Sequence, residues 1–147
     1  MRLIPFALAV GLALLALTPS LRAADNATVR AILITATNLK READPRLAPY
    51  EAELQRNLPL SSFRYVGEGS TAVTAGAKSV IALERGNRIE LEGERSGGRG
   101  IRMKVLWQSG RTVIMNTTLT LQPGVPAVLG RRPSGDGETP IVLLIAR

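Results

Sequence analysis

Residues 101–122, IRMKVLWQSGRTVIMNTTLTLQ, alternate apolar and polar side chains on either side of a Ser-Gly pair, the pattern of a β-hairpin. On the first arm Ile101, Met103, Val105 and Trp107 share a face, with Arg102, Lys104 and Gln108 opposite; only Leu106 breaks the rule. On the second arm Val113, Met115, Thr117, Leu119 and Leu121 share a face. A two-residue Ser109-Gly110 loop would oppose Val105 to Ile114 and set an apolar face against a polar one. A three-residue loop, Gln108-Ser109-Gly110, pairs Val105 with Val113 and Met103 with Met115 and puts Gly110 at the left-handed position of a type I turn with a G1 bulge, so this register is expected.

Residues 28–36, TVRAILITA, form a nearly continuous β-branched and apolar run, as in a strand covered on both faces and central in its sheet. Residues 38–44 are polar and read as a loop. Beyond them Leu47, Tyr50, Leu54 and Leu58 recur at helical spacing. Pro49 has no N–H for an i−4 carbonyl, so the pattern predicts a turn at Asp44-Pro45, a helix with Pro49 in its first position, and closure at Pro59.

From there strands dominate. Phe63 and Tyr65 alternate with Arg64 and Val66, which turns the aromatics inward, and residues 71–74 and 79–84 are separate short strand candidates. An Arg85-Gly86-Asn87 turn would pair Leu83 with Ile89, Ile81 with Leu91 and Glu84 with Arg88. In residues 87–95, Ile89 and Leu91 oppose Glu90, Glu92 and Glu94, three acids that raise the possibility of a hard-cation site. If the following Gly-rich loop closes a hairpin, Glu94 meets Arg102 and Glu92 meets Lys104, so cross-strand ion pairing is the expectation, and no EF-hand spacing opposes it. Residues 122–126 are a turn, Val128 and Leu129 a short edge strand, and residues 140–147, PIVLLIAR, a second continuous apolar strand that completes the sheet.

Together these elements predict a β-rich α+β fold, an antiparallel β-sandwich-like domain of about seven to nine strands with one helix near the N-terminus of the mature chain. Its expected inward residues are Ile32, Ile34, Leu54, Phe63, Tyr65, Ile81, Leu83, Ile89, Leu91, Met103, Val105, Val113, Met115, Leu119, Val142 and Leu144.

Composition adds an address. Residues 1–23 carry Arg2, an apolar run, a polar break at Thr18-Pro19-Ser20 and a small residue at Ala23, the grammar of a cleavable signal peptide. A retained anchor is the alternative, but the apolar run falls short of the roughly 20 residues that span a bilayer. The expected organisation is therefore a signal peptide at 1–23 and one β-rich domain at 24–147, placed in the periplasm or secreted. The 147-residue chain has 19 lysines and arginines against 12 acids, a net +7; without Arg2 and Arg22 the 19 become 17 and the net charge +5. That charge suits anionic envelope polymers or lipid head groups, or reflects arginine-rich codon usage, and it forms no basic tract of the kind nucleic-acid binders carry.

The chain has no cysteine and no histidine, which removes thiol chemistry, thiolate metal sites and the commonest general base. Gly97-Gly98-Arg99-Gly100 leads into a strand rather than a helix and is no phosphate loop; no Gly-x-Ser-x-Gly occurs, and Ser79 beside Lys78 points to the opposite face. Scattered acids such as Glu68, Glu84, Asp136 and Glu138 have no glycosidase signature. A non-enzymatic protein is expected, with no cofactor, no metal and no catalytic residue. Two Asn-x-Thr triplets, at Asn26 and Asn116, matter only in a glycosylating secretory pathway.

What remains is binding, to another envelope protein or to an anionic glycan or lipid. The candidate contact residues are Arg131 and Arg132, at the start of a Gly-rich loop over residues 130–139, and Arg102 and Lys104 on the polar face of the hairpin. Paired arginines present planar forks to a carboxylate or phosphate, although such a loop can equally be a solvated connection.

The segments Asp44-Pro45-Arg46-Leu47, Ser61-Ser62-Phe63, Asn116-Thr117-Thr118-Leu119 and Gly124-x-Pro126-x-x-Leu129-Gly130 resemble those of small exported proteins of Gram-negative bacteria without an assigned function. The resemblance covers most of the mature chain. It implies a strand–helix–strand start, a β-rich remainder and an envelope location, and it assigns no catalytic residue.

Overall fold

Strand β1 (Asn26–Thr37) points apolar side chains both ways, and the fold covers both sides. Val29, Ala31 and Leu33 enter one core, while Ile32, Ile34 and Ala36 enter another on the reverse face. The computed structural model describes residues 26–94, 100–131 and 137–147. The expected signal peptide lies outside the described residues.

With β2 (Ser62–Thr74), β7 (Ala127–Gly130) and β8 (Thr139–Ala146), β1 forms a four-stranded sheet in the order β2-β1-β8-β7. A second sheet takes β3 (Lys78–Ala82), β4 (Asn87–Glu94), β5 (Ile101–Ser109) and β6 (Thr112–Leu121) in sequence order. All strand pairings are antiparallel. Between the sheets lie Ile81, Ile89, Leu91, Met103, Val105, Trp107 and Leu121 against Leu33, Val142 and Leu144. This is the β-rich, sandwich-like α+β architecture that the alternation predicts.

The third layer is helical. A 3-10 segment, Pro45–Tyr50, runs into α1 (Glu51–Asn57), and together they lay Leu47 and Leu54 on Ile141, Leu143 and Ile145. Each aliphatic side chain so buried contributes roughly 1.5–3 kcal/mol. The second face of β1 and β8 is dry for that reason, which explains two continuous apolar runs in an antiparallel sheet. The helix differs from expectation at its start: Pro49 sits inside the 3-10 segment instead of opening the regular helix, because Asp44 already caps the chain by accepting the Arg46 N–H at 3.0 Å. In this 3-10 turn Pro49 has no N–H for the Arg46 carbonyl three residues back, and Arg46 lies exposed, where water can take that bond.

Three further details correct the sequence reading. The β5–β6 turn is Gly110-Arg111, one residue beyond the expected loop, with Ser109 opposite Thr112, Val105 opposite Thr117 and Met103 opposite Leu119. Gly110 takes φ 59° at the first turn position, where the hairpin needs a left-handed residue. A bulge at Ile114 then restores the apolar register: Trp107 faces Met115, Ile114 turns inward, and Val113, expected in the core, is 47% exposed.

In the β3–β4 connection Ile81 pairs with Ile89 and Ser79 with Leu91, two positions from the expected register, because Glu84-Arg85-Gly86 form the loop with Arg85 at φ 59° and Gly86 at φ 73°. Asn87 therefore begins the strand rather than finishing the turn. The shift is even, so Ile81, Ile89 and Leu91 keep their inward faces.

Residues 62–74 form one long strand, not two. Val66 is bulged out of register between Leu33 opposite Gly67 and Ile34 opposite Tyr65, so Phe63 and Tyr65 face the helix while Val66 joins the inter-sheet core. The two sheets meet at the far end of β2, where Ala75 bridges to Gly93 and the Gly76 N–H donates to the Gly93 carbonyl at 2.8 Å. A Cβ on Gly93 would lie 2.8 Å from the Thr74 carbonyl oxygen, so this corner closes only around glycine. At the opposite end the turns converge: Gly110 donates to the Gly86 carbonyl at 3.0 Å, and Arg41 and Arg85 both reach Glu138.

Candidate functional site

The densest polar grouping lies where the helical layer meets β1 and β2. Arg30 pairs with Glu68 and donates to the Tyr50 hydroxyl at 3.3 Å; the Tyr65 hydroxyl donates to Glu68 at 2.8 Å. Asp44 accepts from Arg46 Nε and Nη2, each at 3.1 Å, and from the Tyr65 N–H at 3.0 Å, and the Arg46 guanidinium stacks 4.5 Å above the Tyr65 ring. The Arg46 bonds hold the Asp44 carboxyl down at about 2, against partial desolvation. Glu68 is likewise lowered, by Arg30 first and Tyr65 second, and the Tyr65 phenol is raised, by burial first and Glu68 second.

These shifts all move the groups away from neutral pH. Both carboxylates stay ionised and Tyr65 stays protonated, so the grouping offers no proton acceptor poised for catalysis. It clamps the helical segment to the sheet. No single motif announced it: Tyr65 and Glu68, three apart on a strand, belong on opposite faces until the Val66 bulge puts them on one.

The predicted contact residues do not come together. Arg102 and Lys104 lie on the outer face of the second sheet with Arg102 Nε 3.1 Å and Lys104 Nζ 3.9 Å from Glu94, and Lys78 Nζ lies 3.8 Å from Glu90. The register sets Glu94 opposite Arg102 and Glu92 opposite Lys104, as the charge alternation predicts, but Lys104 reaches diagonally to Glu94 and not to Glu92. Among the described residues no group of three or more side chains is placed to hold a metal ion. Arg131 stands at the other end of the molecule and is engaged: its Nε donates to the Ile114 carbonyl and its Nη2 to that of Val113, both at 3.1 Å. Arg132 lies outside the described residues.

Four strands form sheet edges, and they differ in kind. β7 has four residues, and β3 has five with Lys78 at its start. β2 carries charges and glycines, and Ser79 of β3 donates its hydroxyl to the Ala72 carbonyl at 2.8 Å, tying β3 to it. Short edges, charges and coverage are the usual protections against unwanted strand pairing. β6 lacks them: its ten residues, TVIMNTTLTL, include no charge and no proline, and among the described residues no strand pairs with its outer side. Asn116, Thr118 and Thr120 are exposed along it. Its protection is the Ile114 bulge and the Arg131 clip, both at its first turn-proximal residues, and among the described residues nothing pairs with residues 115–121 on that side.

The fold is thus a helix-covered β-sandwich with one edge left unguarded among the described residues, and comparison with protein-family models, with curated proteins and with solved structures finds no match. Among the described residues no helix is long and apolar enough to cross a membrane.

Proposed function

We propose that the protein is a non-enzymatic, exported interaction module of the bacterial envelope, and that it docks by accepting an extended segment of another envelope protein along β6. The observation that carries this reading is the contrast among the edges: three are short, charged or covered, and the fourth is long, neutral and, among the described residues, unpaired on its outer side. Strand addition draws its affinity from main-chain hydrogen bonds and its specificity from alternate side chains, here Asn116, Thr118 and Thr120 on one side and the half-buried Thr117 and Leu119 on the other. Export is supported by the signal-peptide grammar of residues 1–23, and the non-enzymatic reading by the lack of histidine and cysteine and by carboxylates committed to arginines.

The test is a lysine doublet on the edge. Asn116→Lys with Thr118→Lys places charge where a partner strand must dock and leaves the core untouched. Envelope extracts passed over wild-type protein should yield a saturable protein partner that the doublet loses, while Arg102→Ala with Lys104→Ala retains it. A partner captured equally by the lysine doublet overturns docking at β6.

A further inference from the structure

We propose that the mouth of the sandwich beside β1 and β2 is a binding site for a single oxyanion group, a carboxylate or phosphate carried on a small ligand, independent of the β6 edge. A cavity of about 100 Å³ opens there, lined by Thr35, Thr37, Arg41, Ser62, Arg64 and Glu138. At about 30 Å³ per water it holds roughly three waters, the size of one tetrahedral or planar oxyanion and too small for a whole sugar ring.

The floor is built of hydroxyls. Thr35, Thr37 and Ser62 are 8%, 6% and 8% exposed. Two of them are in use: Ser62 Oγ donates to the Leu39 carbonyl at 2.6 Å and accepts the Arg41 N–H at 2.9 Å, and Thr37 Oγ1 accepts the Leu39 N–H at 3.2 Å. They pin the loop that carries Arg41. Thr35 has no such partner among the described residues, and no side-chain oxygen sealed from water there goes unpaired, so its hydroxyl is reached by solvent at the cavity it lines. A nearly buried hydroxyl bonded only to water is a donor that a ligand can take over.

The walls carry both charges, with two arginines among them. Arg64 stands directly across the strand pair from Thr35 and has no ion-pair partner among the described residues. Arg41 Nη1 lies 3.6 Å from Glu138, whose other oxygen is 3.9 Å from Arg85. Two other acids line the cavity: Asp44 is spent on Arg46 and the Tyr65 N–H, and Glu42 stands exposed at the rim. Two arginines, Arg41 and Arg64, therefore line the cavity, and a third, Arg85, reaches Glu138 from outside it. Glu138 acts as a resident surrogate, a carboxylate of the chain itself resting against the Arg41 fork in a long, solvent-exposed pair that is easily exchanged. An incoming oxyanion takes the Arg41 and Arg64 donors and the Thr35 hydroxyl, and Glu138 swings out to Arg85.

Calorimetric titration of the purified protein at low ionic strength tests this, with inorganic phosphate as one probe and sodium galacturonate as the other. Saturable binding of at least one probe is expected. It should weaken roughly tenfold in Arg64→Gln, the scale of one lost charge-assisted hydrogen bond, and severalfold in Thr35→Val. It should tighten in Glu138→Gln, which removes the competitor, and stay unchanged in Arg102→Gln. Binding of phosphate alone assigns the site to phosphate esters, and of galacturonate alone to carboxylated ligands. Arg64 is exposed, so Arg64→Gln keeps the wild-type melting temperature, and a fold defect in Thr35→Val leaves the Arg64 arm decisive. The proposal is overturned if neither probe saturates, or if affinity is indifferent to Arg64→Gln and Glu138→Gln.

Discussion

The indole N–H of Trp107 donates to the side-chain oxygen of Asn87 across 2.9 Å in the sealed space between the sheets. Asn87 in turn gives its amide to the Glu84 carbonyl at 2.9 Å, so one buried side chain serves both the centre of the core and the β3–β4 loop. Trp107→Phe keeps an aromatic ring but strands the Asn87 oxygen, a loss of about 1–3 kcal/mol from one unsatisfied buried acceptor, to which the void left by the smaller ring adds. Combining it with Asn87→Ala should cost clearly less than the two single losses summed, because no lone partner remains. Urea unfolding of the three variants measures it, and strict additivity would show that the pair is not coupled.

Arg131 predicts a local effect. Its two bonds to the Val113 and Ile114 carbonyls steady the bulge, so Arg131→Ala should lower stability by about 0.5–1.5 kcal/mol and speed amide exchange around the β5–β6 turn. Arg131→Lys should not restore it, since one ammonium cannot reproduce a two-pronged fork. Unchanged exchange in Arg131→Ala would place the side chain in solvent.

Asp44 sets an acid limit. Its carboxyl, held at about 2 by Arg46 and the Tyr65 N–H against an ordinary value of 3.8, contributes stability that is complete above pH 3.8 and lost as the pH falls through about 2. Glu68, also lowered, acts in the same direction. Asp44→Asn should therefore be less stable than wild type at pH 6 and should flatten the fall in melting temperature between about pH 4 and pH 2. A wild-type acid profile in that variant would contradict the clamp.

Gly93 predicts a steric loss at the corner. Gly93→Ala sets a methyl 2.8 Å from the Thr74 carbonyl oxygen and 3.1 Å from Val73 Cγ1, and backbone cannot swing aside as a side chain can. A destabilisation of roughly 1–3 kcal/mol is expected, the usual scale of overpacking. Gly76→Ala makes no contact but sits at φ 81°, so any loss there is backbone strain alone, and the pair of variants separates the two costs in one melting series.

Alternation made much of this fold legible. The inward residues of β4 and β5, the Glu94–Arg102 ion pair and the register of Glu92 opposite Lys104, and the two-sided burial of β1 and β8 all follow from a period of two and from where it is absent. Two of the misses share one cause. At Val66 and Ile114 a single bulged residue slips the period, and a pattern read on either side cannot say where the slip falls. Val113 was misplaced by one such slip, and the Tyr65–Glu68 contact was hidden by the other. The mouth was illegible for a different reason: Thr35, Arg41, Arg64 and Glu138 come from three separated stretches, and only the β1–β2 and β1–β8 pairings bring them to one place.

β1 and β8 lie side by side, Ile34 against Ile141 and Val29 against Ala146, although most of the chain separates them. Closing a loop that long costs entropy before any contact repays it. During synthesis β1 emerges early and must wait, apolar on both faces, until β8 follows; until then neither core can close. Contacts between the two therefore form late, only after the residues that separate them are made. Among the described residues these two strands, each apolar on both faces, lie about a hundred positions apart, and the seat of the helix exists only where they have met.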